Sequence, residues 1–163
     1  MKKLYLLRHA EAASDGVDDK DRRLSAAGTT HAGQIAAMMA AQSWRPTEII
    51  YSTARRTDET HSALMRQWPD IKAIGHDSLY LAPAGTLLDH IHKTDEAVQS
   101  LLVLAHNPGI HQLAGLLAGS GEGDCLQRLQ RGFSTGGLAV LECPVAHWAA
   151  IRPGDNHLHA LIF

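Results

Sequence analysis

KLYLLRHAE, residues 3–11, sets four apolar residues, Leu4 to Leu7, directly before a cation, an imidazole and, after Ala10, a carboxylate. A contiguous apolar run of that length matches one strand buried on both faces, as strands of parallel sheets are. The run breaks at Arg8-His9, so polar chemistry stands at the strand's carboxyl end. In open α/β sheets the ligand crevice lies outside those carboxyl ends, which puts Arg8 near an anion and His9 in place for nucleophilic or proton-transfer work. Taken alone, the same pair fits a surface cap on a strand equally well.

Working outward, the pattern repeats. TEIIYS (47–52) is a second short β-branched and aromatic run ending in a polar residue, Ser52, and LLVLA (101–105) is a third ending at His106-Asn107-Pro108-Gly109. IKAI (71–74) reads as a fourth strand, followed by a loop with His76, Asp77 and Tyr80. Between them lie helical stretches at 26–42, capped by Ser25 and interrupted by Gly28 and Gly33, at 53–67 with a stop at Pro69, at 86–92 and at 110–118. Residues 12–25, Asp-rich and polar, read as a loop carrying Arg22, and SGEGD (120–124) is a Gly-rich loop without P-loop spacing. Short runs at 137–142, 147–151 and 158–162 read as three terminal strands. Strand–helix alternation closed by strands predicts an α/β fold: a mostly parallel central sheet between helical layers, with antiparallel strands at an edge, built as one domain over 1–163.

Composition narrows the function. A chain of 163 residues can bury about 70% of its unfolded surface and needs no disulfide framework. The net charge of −2 and an aromatic content of 5% give neither a basic field nor a stacking surface for nucleic acid, so no nucleic-acid partner is expected. Cys125 and Cys143, without CxxC spacing, suit a reducing cytoplasm, and the apolar stretch behind MKK is too short for a signal peptide or membrane span. His157 and His159 would share a strand face, while His90 and His92 would diverge on a helix; without HExxH, no metal or other cofactor is expected.

Arg55 and Arg56 fall in the first turn of the helix that follows Ser52, where the helix dipole favours negative charge. An anion bound nearby would relieve that mismatch, and so would pairing of the two arginines with Asp58 and Glu59. If the strands ending in Arg8-His9, Ser52 and His106 are neighbours, two arginines and two histidines converge on one crevice. Arginine forks match phosphate oxygens and an imidazole can attack phosphorus, so the set reads as phosphoryl transfer through a phosphohistidine.

These residues carry a resemblance. LLRHAEA matches the RHG/RHA motif of the histidine phosphatase superfamily, DRRLSAAG is similar to its RPLTxxG, STARRTDET matches SxxxRAxxT at Ser52, Arg56 and Thr60, and AHNPGI matches its HNP histidine motif. FSTGGLAVLE, followed by Trp148, is similar to its terminal strands. Four ordered motifs cover nearly the whole chain, and within the superfamily the sequence resembles the small, single-domain SixA-like phosphohistidine phosphatases. The resemblance implies a phosphoglycerate mutase-like three-layer α/β/α sandwich. It implies His9 as nucleophile, with Arg8, Arg56 and His106 on the phosphoryl oxygens, and Arg22 and Asn107 in weaker binding roles. It also implies a phosphorylated substrate as partner, such as a phosphohistidine-bearing protein.

Two departures stand out. Thr57 replaces the alanine usual after the motif arginine. The loop after IKAI also lacks the glutamate that protonates the leaving oxygen in members acting on esters; Asp77 is the nearest acid and the candidate proton donor. A missing donor matters least for a P–N bond. A phosphatase of small esters and an inert phosphate-binding scaffold are the alternatives.

Overall fold

Strand β1 (Lys2–Arg8) is buried on both faces, and its side chains divide between two cores. Leu4 and Leu6 face one, Tyr5 and Leu7 the other, as the two-residue period of a strand requires. The computed structural model describes residues 1–163. After β1 come α1 (Ala26–Ala41), β2 (Glu48–Ser52), α2 (Arg55–Gln67), β3 (Lys72–His76), α3 (Ala84–His92), β4 (Ser100–Ala105), α4 (Gly109–Leu117), β5 (Ala118–Gly121), α5 (Cys125–Arg131), β6 (Leu138–Cys143) and β7 (Asn156–Ile162), with 3-10 turns at Asp19–Asp21, Asp77–Leu79 and Trp148–Ala150.

The strands form one seven-stranded sheet in the order β3-β2-β4-β1-β6-β7-β5. Pairs β1·β4, β2·β3, β2·β4 and β5·β7 are parallel. Only β6 runs against its neighbours, and it lies inside the sheet between β1 and β7. Ile35, Ala36 and Met39 of α1 and Leu64 of α2 pack on the Tyr5–Leu7 side, while α3, α4 and α5 cover the Leu4–Leu6 side. This is the three-layer sandwich expected. No helix is long and apolar enough to cross a membrane.

The order of strands creates the opening for a site. Adjacent strands β1 and β4 send their chains to opposite faces, into α1 and α4, which opens a crevice between their carboxyl ends. Two glycines tighten its walls: a Cβ on Gly28 would lie 2.1 Å from the Glu11 carbonyl oxygen, and one on Gly109 would lie 1.9 Å from that of Ala82. Gly28 is therefore tolerated in α1 for close approach, despite its helix penalty. Ser25 caps that helix as expected, accepting from the Gly28 N–H at 3.0 Å.

Three local expectations fail. Residues 147–151 are not a strand: Trp148 turns inward, fully buried, and donates from Nε1 to the Val98 carbonyl at 2.9 Å, so the segment plugs the core. Residues 118–121, expected as helix end and loop, form edge strand β5 against β7, because tertiary pairing overrides a run of small residues with no periodicity. The short helix α5, with only Cys125 and Leu129 buried, has too sparse an apolar pattern to be visible in the sequence.

Candidate active site

His9 follows β1 with its ring 7% exposed. Its Nδ1 lies 2.7 Å from the Ala10 carbonyl oxygen, which can only accept, so Nδ1 carries the proton. Its Nε2 accepts from Arg56 Nε at 3.3 Å and is therefore bare. Burial is the main cause pushing the His9 pKa down to about 4; Arg56, Arg8 and Arg22 add to it, and the Ala10 carbonyl opposes. The ring is thus neutral at pH 7 with its free lone pair turned toward a guanidinium.

Arg56 stands in the first turn of α2, 3% exposed, while Arg55 points outward and pairs with Glu59 at 2.7 Å. The Arg56 fork donates to the Asp19 carbonyl at 2.6 Å and carboxylate at 3.0 Å, and Nη2 lies 3.3 Å from His106 Nδ1. Because arginine only donates, His106 accepts there and its Nε2–H donates to Ser52 Oγ at 2.8 Å. Burial, then the neighbouring His9 and Arg56, push the His106 pKa down to about 3. Thr60 ties the two motif segments together, accepting from Ala10 N at 3.1 Å and donating to the Arg56 carbonyl at 2.7 Å. Thr57, which departs from the motif alanine, is fully buried, and its hydroxyl is satisfied by the carbonyls of Ser52 and Ala54, each at 2.6 Å.

Arg8 donates from Nη1 to the Phe133 carbonyl at 2.9 Å, yet its buried Nε has no partner. Asn107 donates to the same carbonyl at 2.9 Å. Arg22 donates to the Ala13 carbonyl at 3.0 Å and to the Asp19 carboxylate at 3.2 Å. Arg8, His9, Arg22, Arg56, His106 and Asn107 all line one pocket of about 330 Å³. Three guanidiniums and two neutral imidazoles around one opening suit a tetrahedral oxyanion, with a lone pair in place to attack its centre.

Asp77 is not brought there. It lies outside the pocket, exposed, accepting from Thr53 Oγ1 and, at 3.3 Å, from Lys20 Nζ; the Thr53 bond first, then Lys20, lowers its pKa. A different carboxylate reaches the arginines. Asp19 binds Arg56 and Arg22 and accepts from the Tyr80 hydroxyl at 2.5 Å; that bond is the main cause lowering its pKa to about 2. Nothing in DDKD distinguishes Asp19 from Asp18 or Asp21, so the sequence held no signal for it. Outside the pocket, His157 bonds Ser120 at 2.8 Å and Glu122 at 3.1 Å, while His90 bonds Ser78 at 2.9 Å and lies against His76, ring centroids 4.7 Å apart. No cluster of three or more His, Cys, Asp or Glu side chains is arranged to hold a metal.

No family model matches the sequence. An uncharacterized protein of Mycobacterium tuberculosis is 34% identical over 151 residues, spanning 91% of this chain and 93% of that protein. A crystal structure from Agrobacterium tumefaciens, assigned as the phosphohistidine phosphatase SixA, shares 34% identity and has a TM-score of 0.82, covering 99% of this chain and 97% of the other. The protein histidine phosphatase SixA in complex with tungstate has the same fold at 20% identity, with a TM-score of 0.78 over 98% of this chain and 96% of that one.

Proposed function

Because the chain belongs to the histidine phosphatase superfamily, in its SixA-like group, we propose that it is a cofactor-independent phosphatase that hydrolyses phosphohistidine on a protein partner, with His9 as nucleophile. The observation that carries this reading is the His9 tautomer: Nδ1–H fixed on the Ala10 carbonyl, Nε2 bare and facing Arg56. In the first step Nε2 attacks phosphorus in line, an Nε2–P bond forms, and the substrate P–N bond breaks with its electron pair returning to the leaving imidazole. Arg8, Arg56 and His106 hold the phosphoryl oxygens, with Arg22 and Asn107 at the rim. For His106 to donate to an oxygen it must gain a proton at Nδ1 or exchange its bond to Ser52, and the negative charge of the phosphoryl group favours that protonation. Water then attacks the phosphoenzyme and releases inorganic phosphate, returning the neutral ring.

Leaving-group chemistry separates this substrate class from esters. An imidazole already protonated on its distal nitrogen departs neutral, with no acid needed at the breaking bond. An alkoxide needs a donor, whereas Asp77 does not line the pocket, Asp19 is held ionised by Tyr80 and Arg56, and Glu11, in the lining, accepts at Oε1 from Ser25 Oγ at 2.7 Å. What supports catalysis over an inert scaffold is that bare Nε2 among the arginines. A cytoplasmic site of action fits the two free thiols, Cys125 and Cys143, both buried.

The test is a brief exposure to a phosphohistidine-bearing protein and, in parallel, to a panel of phosphate esters. Expected are acid-labile phosphate on His9, a preference for the P–N substrate, and loss of at least about a thousandfold in kcat for His9→Ala. Activity surviving in that variant, or a strong ester preference, would overturn the reading.

A further inference from the structure

Beside the phosphoryl pocket lies a second hollow that the proposed chemistry leaves unused. It encloses about 420 Å³ and is lined by Arg128, Arg131, Gly132, Phe133, Ser134 and Phe163. The segment Phe133–Thr135 separates the two: the Phe133 carbonyl anchors Arg8 and Asn107 on one side, Thr135 lines the phosphoryl pocket, and the Phe133 ring belongs to the neighbouring hollow. Phe163 stands edge-on to Phe133 at 6.0 Å and is 44% exposed, so the hollow has an aromatic wall open to solvent.

Its arginines, like the exposed Arg66 and Arg152, lack a close carboxylate, unlike three others on the surface. Arg23, Arg45 and Arg55 each hold a carboxylate at 3.2, 2.7 and 2.7 Å. Arg131 has no ion-pair partner, and Arg128 meets only Asp124, at 3.9 Å, while its guanidinium sits 5.4 Å over the Phe163 ring. The lining of the hollow carries these two arginines and no acidic side chain. A single small anion is already served by the neighbouring pocket; an open, aromatic and cationic groove alongside suits carboxylates on a larger body.

Resting on the phosphohistidine reading above, we propose that the Arg128–Arg131–Phe163 groove docks an acidic segment of the substrate protein, flanking the phosphohistidine that enters the phosphoryl pocket. The groove acts on recognition and leaves the chemical step untouched. Free phosphohistidine fills only the phosphoryl pocket and so bypasses it.

The test compares kcat/KM for two substrates, a phosphohistidyl protein domain of net negative charge and free phosphohistidine. Variants are Arg131→Glu, the double reversal Arg128→Glu with Arg131→Glu, and the paired lysine substitutions at both positions. On the protein substrate the double reversal is expected to lower kcat/KM tenfold or more, mainly through KM, with the single reversal intermediate and the lysine pair near wild type. Free phosphohistidine turnover stays within twofold in every variant, which also reports correct folding. Raising salt slows wild-type turnover of the protein substrate and not of the amino acid. Equal losses on both substrates, or unchanged protein turnover in both Arg131→Glu and the double reversal, overturn the docking surface. A wild-type enzyme inactive on both phosphohistidine substrates overturns the functional reading instead.

Discussion

Strand β1 carries a cation at each end, Lys2 buried and Arg8 half-buried, and the two are treated differently. At the amino end Lys2, 3% exposed, donates to the carbonyls of Glu96 and Val98 at 2.8 Å each, lies 3.8 Å from the Glu96 carboxylate and sits 5.5 Å over the Trp148 ring. At the carboxyl end Arg8 has a buried Nε with no partner, and its neighbour Arg56 helps lower its pKa after burial. One end closes its hydrogen bonds internally and serves the fold. The other leaves donors open among like charges, an arrangement that an incoming anion completes.

That contrast can be broken from either side. The largest effect is expected at the open end. Arg8→Met should lower kcat/KM about a hundredfold, roughly 2.7 kcal/mol of transition-state stabilisation, as for loss of an oxyanion donor. Its denaturation midpoint should barely move, because the Phe133 carbonyl keeps its bond from Asn107. Lys2→Met should do the reverse, costing about 2 kcal/mol of stability in urea titration while leaving kcat/KM within twofold, since the Glu96 carbonyl is left unpaired far from the pocket. Equal activity losses in the two variants would erase the distinction.

The smallest expected effect is in the pH profile. With the free-enzyme His9 pKa at about 4, kcat/KM corrected for uncatalysed hydrolysis should change less than about twofold between pH 7 and 5 from ionisation of this ring. Stability should behave otherwise. His9 and His106 have folded pKa values below the unfolded value, so the unfolded chain binds more protons as pH falls under about 6.5. Their contribution is full above that pH and is lost progressively down to about 4 for His9 and 3 for His106. A melting temperature that rises on acidification from 6.5 to 5 in wild type but not in His106→Asn would contradict the burial of these rings.

Much of the site was legible because its residues announce themselves at strand ends. Arg8, His9 and His106 each follow an apolar run, and Arg56 offends the dipole of its own helix; the pocket contains all four. The sandwich was legible too, from the alternation of strands and helices. What stayed hidden depends on the main chain or on distant partners. The Ala10 carbonyl that fixes the His9 tautomer leaves no trace in residue type, and Asp19 is one aspartate among several until Arg56 and Tyr80 reach it. The AGSG run of β5 becomes a strand only by pairing with β7, and Trp148 abandons a strand only because Val98 offers an acceptor in the core.

The Ala10 carbonyl has a consequence for heredity. Every sense codon at position 10 encodes a residue with that same oxygen, so no missense mutation can delete the group that orients His9. Selection at this site acts on bulk: the Ala10 side chain is fully buried against Leu24, Ala32 and Ala63, leaving room for glycine or serine and little more. The orienting group is thereby shielded from mutational drift, and variation at position 10 among descendants is confined to size.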